Sequence, residues 1–480
     1  MLFNSMAFML FFPLVFSIYW LMPHHTRWFL LLCASYYFYM SWKPAYIVLI
    51  LFTTFISYAA ARLIEREPLR KKQRWILITA LVLCIGILFF YKYFNFFSIT
   101  LSTLASLFLI PVHPVTVKLL LPVGISFYTF QTLSYVIDVY RGTVKAERHF
   151  GIYAAFISFF PQLVAGPIER TGNLLPQIKA RHTFDANRGI CGAKMMLWGY
   201  FKKMVIADLL AGIVDAVFAN LCGYSGFALV LAVFFFSLQI YCDFSGYSDI
   251  AIGTARLLDI DLMINFKSPY FSSSIKEFWS RWHISLSTWF RDYVYIPMGG
   301  NRCSKLRQSV NLLTTFLVSG LWHGASWTFV LWGGVHGAAQ IAERFLSRPI
   351  ALLHQKKAGR AACTVFVFLF CCFAWVFFRA ASFSDACYIL THSIQGIRQP
   401  LLYLSQGLAQ LNLTALKLIY LFGLITILVV YDYLNKDRDI ITEVIGKHAW
   451  LEWIVYLILG LLVVFFSQKG IAAEFVYFQF

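Results

Sequence analysis

Two histidines of this 480-residue sequence lie in a long apolar run, and a third precedes it. His323 and His336 fall within a run from Val310 to Ala342 that contains no Asp, Glu, Lys or Arg, and His283 precedes that run. A histidine at membrane depth is costly unless it faces a polar cavity or a partner, and imidazole can accept and return a proton near neutral pH. The three residues are therefore candidates for general acid–base chemistry. For His323 and His336 the alternative is a buried histidine satisfied by a backbone carbonyl.

The segment around His283 is unusually rich in charged and aromatic residues for a membrane protein. At helical spacing it has an apolar stripe of Trp279, Trp282, Leu286, Trp289 and Tyr293 and a polar stripe of Lys276, Ser280, His283 and Ser287. The pattern predicts one amphipathic helix with His283 in its polar stripe. Two interpretations remain open: a helix that lies flat in the membrane interface, or one that brings His283 to a site.

The elements that would position these histidines are also interrupted in the sequence. The pairs Ser319-Gly320 and Gly324-Ala325 predict a bend or break next to His323. The segment FPQLVAGPIER, from Phe160 to Arg170, has two prolines and a glycine, which predict a turn or a re-entrant loop. Asp243 directly follows an apolar run, so we expect a helix end there, with the carboxylate either at the surface or in a cavity.

The composition excludes an ordinary soluble enzyme. The chain is 60% hydrophobic and only 13% charged, whereas soluble domains are about a quarter charged. Its net charge of +18 comes from basic residues in short segments between apolar runs. These residues are typical of orientation signals and of contacts with anionic membrane lipid, so we expect no nucleic-acid partner. The ten cysteines form no CxxC pair, and motifs for phosphate binding, serine hydrolysis and metal binding are missing, so we expect no metal.

Apolar runs near the spanning length occur along the whole chain and predict an all-α polytopic membrane protein with roughly 11–13 membrane segments. They lie at about 7–22, 28–42, 44–61, 75–92, 97–111, 119–137, 150–166, 190–219, 225–242, 310–342, 361–378, 414–433 and 450–467. Basic loops around Arg70–Arg74 and Lys356–Arg360 should face the cytoplasm. We expect a single domain over residues 1–480, with a catalytic core at 116–345 and C-terminal helices at 346–480.

Two blocks around the histidines resemble the core of the membrane-bound O-acyltransferase family. They are RWHISLSTWFRDYVYIPMGGNR, from Arg281 to Arg302, and SGLWHGASWTFVLWGGVHG, from Ser319 to Gly337. Supporting blocks are LLLPVGISFYTFQTLSYVIDVYRG, FPQLVAGPIER and DFSGYSDIAIG. Within the family the sequence is similar to the bacterial alginate O-acetylation branch, as is its ending FVYFQF, and the D-alanyl transfer proteins of teichoic acid synthesis are near neighbours.

The resemblance implies a ring of helices around a thinned centre, where a tunnel holds the histidines. It implies that His323 is the essential general base, that His283 positions or polarises the reacting groups, and that His336 fills a recurrent family position. Residues expected to line the substrate path are His336, Trp282, Ser287, Arg281, Arg291 and Asp243. The donor would be acetyl-CoA or another acyl thioester, with no bound cofactor.

The resemblance also implies a place and a pathway. The protein would lie in the bacterial inner membrane and pass acetyl groups outward for O-acetylation of an exopolysaccharide such as alginate, by way of a periplasmic esterase-like partner. Three alternatives remain: D-alanyl transfer to teichoic acid, a polysaccharide or lipid transporter without acyl transfer, and an inactive scaffold. Against a transporter stand the paired histidine blocks and the lack of an internal two-fold repeat in the sequence.

Overall fold

The computed structural model of the chain describes residues 1–164, 166–437, 448–466 and 476. Within these ranges every regular element is helical, which confirms the all-α prediction. Ala165 of the predicted loop, and all of the ending FVYFQF except Val476, lie outside the described residues.

Five helical runs in the described ranges are long and apolar enough to cross a membrane, as the polytopic prediction requires. They are Pro44–Arg66, Arg70–Leu107, Phe227–Leu257, Lys357–Arg379 and Ala415–Asn435. The predicted boundary between segments 75–92 and 97–111 is wrong, because a π-helical turn at Phe89–Tyr93 carries one helix through both. The remaining predicted segments correspond to shorter or interrupted helices.

Packing divides the chain into two compact units. The first comprises Met1–Met196 and Ser248–Met263. Its helices are α1 (Met6–Leu21), α2 (Arg27–Met40), α3 (Ile47–Arg66), α4 (Arg70–Leu88), α5 (Phe94–Leu107), α6 (Ile125–Arg141), α7 (Phe150–Ser158), α8 (Phe160–Leu163), α9 (Thr171–Lys179) and most of α10 (Ala186–Tyr200). At its centre α6 packs against α3 and α4, and α7 packs against α2 and α3.

The described part of FPQLVAGPIER is buried in the first unit except for the half-buried Arg170, and beyond the short helix α8 it is not helical, as predicted. Its Glu169 has no solvent exposure. Burial raises the pKa of the Glu169 carboxyl to about 7, although the Asn173 side chain and the Met263 backbone N–H donate hydrogen bonds to it. The loop is thereby tied to a second segment of the same unit.

The second unit comprises Leu197–Tyr247 and Ile264–Phe480 and contains the three histidines. Its helices are α11 (Asp208–Ala219), the first part of α12 (Phe227–Leu257), α13 (Ile275–Arg281), α14 (Ile284–Phe290), α15 (Lys305–His323), α16 (Trp327–Phe345), α17 (Ser347–His354), α18 (Lys357–Arg379), α19 (Phe383–His392), α20 (Pro400–Gln410), α21 (Ala415–Asn435) and α22 (Ala449–Phe466). The π-helical segment Phe201–Ala207 joins α10 to α11.

The predicted break next to His323 is confirmed, because α15 ends at His323 and α16 begins at Trp327. The two helices form a hairpin whose backbones touch. A Cβ atom at Gly320 or Gly333 would lie 2.2 Å from the backbone oxygen of Phe329 or Phe316, respectively. Glycine is therefore required at both positions. The close approach holds the face of α16 that carries Gly333 against α15.

Candidate active site

His283 lies between two short helices, so the prediction of one continuous amphipathic helix is wrong. Its φ of 43° is in the left-handed region, and α13 ends before it while α14 begins after it. The physical reason is backbone pairing with another segment. Lys267 N–H donates to Arg281 O, and Ile284 N–H donates to Asn265 O, each at 2.9 Å.

The tryptophan belt expected of an interfacial helix does not form, because the three tryptophans of the apolar stripe and His283 face the protein interior, whereas Lys276 and Ser280 of the polar stripe are exposed. Trp282 and His283 have no solvent exposure, and Trp279 and Trp289 are buried as well. Large aromatic side chains at a membrane interface would keep one edge in contact with water or lipid headgroups. This segment is instead part of the core of the second unit.

The His283 ring is oriented by Asn265. Asn265 Oδ1 accepts hydrogen bonds from the backbone N–H of Ser285 at 3.2 Å and from its hydroxyl at 2.9 Å, which identifies that atom as oxygen. His283 Nδ1 lies 3.1 Å from the same oxygen and must donate to it. In the neutral ring the basic lone pair therefore lies on Nε2.

The structure brings His283 and His323 together. Their ring centroids are 6.3 Å apart, and His323 is only 4% exposed at the end of α15. Aromatic rings surround the His323 imidazole, with centroids at 5.0 Å for Trp322, 5.0 Å for Trp332 and 5.5 Å for Phe378. The surroundings exclude water, which strengthens electrostatic interactions with any group bound there.

His336 lies on the next turn of α16 after Trp332, and the two ring centroids are 5.1 Å apart. The Trp279 indole N–H donates to His336 Nδ1 at 3.3 Å, so a neutral His336 carries its proton on Nε2. His336 is fully buried. It therefore belongs to the same aromatic cluster as His323.

A cavity of about 690 Å³ lies next to this cluster, within the second unit. Trp279 and Ser319 line it, and Ser319 lies one turn before His323 on α15. Two of the predicted substrate-path residues, Ser287 and Arg291, also line the cavity. Further lining residues that the sequence analysis did not single out include Tyr295, Asn301, Gln340, Glu343 and Arg344.

Arg281 and Asp243 lie elsewhere in the second unit. The Arg281 guanidinium lies 3.0 Å from Glu277 Oε1, and Asp243 Oδ1 lies 2.7 Å from Lys203 Nζ. The helix end predicted at Asp243 is wrong, because α12 continues to Leu257 and Asp243 is buried within it. A substrate contact by Arg281, Asp243 or the buried Trp282 stays a prediction.

Sequence reasoning missed Asn265, Trp332 and Phe378 as parts of this site. Asn265 lies 18 residues before His283, and its role depends on a backbone pairing that no local sequence pattern indicates. The sequence could have indicated Trp332 as a site residue, because it lies one helical turn before His336 on the same helix. Among the described residues no group of three or more His, Cys, Asp or Glu side chains could hold a metal ion.

The second unit thus holds a buried histidine pair beside a cavity, and comparisons with known proteins identify the class of the protein. The family model for the membrane-bound O-acyltransferase family matches residues 147–384. The chain is 42% identical to a probable alginate O-acetylase of Azotobacter vinelandii over 391 residues, which are 80% of this chain and 76% of that protein. The chain belongs to the membrane-bound O-acyltransferase family.

Two further relatives bear on the acceptor. A peptidoglycan O-acetyltransferase of Helicobacter pylori is 32% identical over 94% of this chain and 91% of its own length. A teichoic acid D-alanyltransferase of Streptococcus thermophilus is 29% identical over 53% of this chain and 65% of its own length. The likeness to the D-alanyl branch is thus confined to about half of the chain.

Proposed function

We propose that this membrane-bound O-acyltransferase of polysaccharide O-acetylation takes an acetyl group from a cytoplasmic thioester and passes it outward across the bacterial inner membrane. The donor is acetyl-CoA or another acyl thioester. The observation that carries the proposal is the pairing of His283 and His323, with ring centroids 6.3 Å apart, beside a cavity large enough for the end of such a donor.

In the proposed reaction an acceptor hydroxyl attacks the thioester carbonyl carbon. His323 takes the hydroxyl proton as the new carbon–oxygen bond forms, and the carbonyl π electrons move onto its oxygen. When the tetrahedral intermediate collapses, the carbon–sulfur bond breaks and His323 returns the proton to the departing thiolate. His283, whose ring Asn265 fixes, positions the reacting groups next to His323.

The cavity is the proposed donor path. Lys276, Arg291 and Arg344 contribute three cationic side chains to its lining, against one carboxylate from Glu343. Glu343 is also committed to a structural contact, because the backbone N–H of Ile275 at the start of α13 donates to it. This excess of positive charge in the lining favours an anionic ligand, such as a thioester that carries phosphate groups.

The first acceptor is proposed to belong to a periplasmic partner with a serine hydrolase-like site, which then esterifies the polymer. His283 and His323 are at most 4% exposed, so a polysaccharide strand could reach them only by displacing the surrounding aromatic rings. A small hydroxyl-bearing group or a narrow segment of a partner protein could reach the two histidines more easily than a polysaccharide strand.

The proposed polymer is an exopolysaccharide such as alginate, by analogy with the Azotobacter vinelandii relative. Peptidoglycan is a second candidate, favoured by the near end-to-end match to the Helicobacter pylori relative. D-alanyl transfer is less well supported, since that match spans 53% of the chain. A transporter or an inactive scaffold would not require the oriented His283 beside His323.

We expect both basic segments, which the structure places at the starts of α4 and α18, to be cytoplasmic, because each combines a Lys/Arg excess with an apolar helix. Lys72 and Lys357 are exposed in the structure and suit single-cysteine labelling in a background that lacks the ten native cysteines. Each cysteine should resist a membrane-impermeant thiol reagent in intact cells and react after permeabilisation. A cysteine at the exposed Gln399 serves as a comparison site.

Labelling of the cysteines in both basic segments in intact cells would contradict a cytoplasmic donor path. Failure of either cysteine to react even after permeabilisation would show that the position is inaccessible, and the neighbouring exposed residues Lys71 and Lys356 then replace it.

A further inference from the structure

Trp332 carries a buried hydrogen-bond donor beside His323. Its side chain has no solvent exposure, and its indole N–H has no acceptor among the described residues. Buried polar groups in native proteins are nearly always paired, because leaving a donor unpaired forfeits its hydration without compensation. An unpaired donor inside a reaction site indicates that a ligand supplies the acceptor.

The neighbouring Trp375 shows what a structural tryptophan looks like in the same cluster. Its ring stacks on Trp332, with centroids 5.6 Å apart, and its N–H donates to the Tyr270 hydroxyl at 3.1 Å. The two indoles therefore differ in one respect that matters for chemistry. The Trp375 N–H donates to another side chain, whereas the Trp332 N–H has no acceptor in the part of the chain that the structure describes.

Trp332 lies directly beside the proposed base. Its ring lies edge to face with His323, at a centroid distance of 5.0 Å, and is followed by His336 one turn later on α16. Trp282 also has an indole N–H without an acceptor among the described residues, but its ring packs on Phe266, Phe278 and Trp375 instead of His323. Trp332 is thus the better placed of the two to touch a group that reacts at His323.

We propose that the Trp332 indole N–H donates a hydrogen bond to the carbonyl oxygen of the thioester and stabilises the negative charge on that oxygen as His323 removes the acceptor proton. This inference rests on the proposed function. As the acceptor oxygen attacks, the carbonyl π electrons become a lone pair on the oxygen that Trp332 contacts. They return to re-form the carbonyl when the carbon–sulfur bond breaks and the thiol leaves with the proton. A fixed donor in a site closed to water stabilises such charge more than it stabilises the neutral carbonyl.

The test is Trp332→Phe in proteoliposomes supplied with acetyl-CoA, with Trp375→Phe as the matched control. We expect Trp332→Phe to lower kcat about 10²–10³-fold with little change in the KM for acetyl-CoA, because the bond strengthens only in the transition state. Trp375→Phe should lower the melting temperature and leave kcat within a few-fold of the wild type. Replacement of Trp332 by benzothienylalanine, which keeps the ring shape but has sulfur in place of N–H, should reproduce the loss if Trp332→Phe disturbs folding.

A kcat within threefold of the wild type in the benzothienylalanine variant would overturn the inference, as would a loss confined to KM. The same assay of His323→Ala separates this failure from failure of the proposed function. An inactive His323→Ala protein with a normal Trp332 variant overturns the role of Trp332 alone. An active His323→Ala protein overturns the acyl-transfer mechanism as well.

Discussion

Replacement of His323 by alanine should abolish O-acetylation of the polymer while the protein remains in the membrane. Removal of a general base costs on the order of 10²–10⁴ in rate. The imidazole lies at the end of α15 and is surrounded by aromatic rings. The close backbone contacts between α15 and α16 are made by Gly320 and Gly333 and do not involve the His323 side chain. The fold should therefore tolerate the loss of the side chain.

Ester content and protein level should be measured together, with exopolysaccharide and peptidoglycan analysed from the same cells. The polymer that loses its esters is the acceptor. His113 is exposed, so His113→Ala is the matched control and should keep wild-type ester content. Wild-type ester content in the His323→Ala strain would refute the assigned base, whereas disappearance of the protein would indicate a structural role for the histidine.

At His283 the two informative replacements should diverge. We expect His283→Asn to keep partial activity and His283→Leu to lose most of it, because the site needs a hydrogen-bonding side chain next to His323. The backbone at His283 has a φ of 43°, which asparagine adopts more readily than other residues with a side chain. Asparagine therefore preserves both the local conformation and a polar group.

Activity of purified protein and its melting temperature separate chemistry from strain at this position. Leucine also adds backbone strain, so a lower melting temperature alone does not support a chemical role. A large loss of kcat in folded His283→Leu, with partial activity in His283→Asn, is the expected pattern. Near-normal activity in both variants would show that the surrounding tryptophans, and not His283, explain this segment.

The elements that local chemistry controls were predictable from the sequence. The run without charged residues from Val310 to Ala342 and its glycine pairs correctly indicated a break beside His323, although not the hairpin that α15 and α16 form there. Composition correctly indicated helices that cross a membrane. Both predictions depend only on residues that are close together in the sequence, so their spacing can be read from the sequence itself.

The features that depend on distant segments were not predictable. The stripe around His283 satisfied helical periodicity, yet the pairing of Asn265 and Lys267 with residues 281–284 interrupts the helix there. Asp243 looked like a helix end because a charge follows an apolar run, but Lys203 on another helical segment compensates that charge and lets α12 continue. Tertiary contacts thus overrode local patterns at both positions.

The central claim is that an acetyl group enters from the cytoplasm and leaves on the other side through the site at His323. Inverted membrane vesicles from cells that express this chain expose the cytoplasmic face to radiolabelled acetyl-CoA and keep periplasmic components inside. The account predicts that alkali-labile label accumulates inside wild-type vesicles, survives washing and is missing from His323→Ala vesicles. Equal accumulation of label in wild-type and His323→Ala vesicles, or labelling only when the donor is supplied to the periplasmic face, would contradict it.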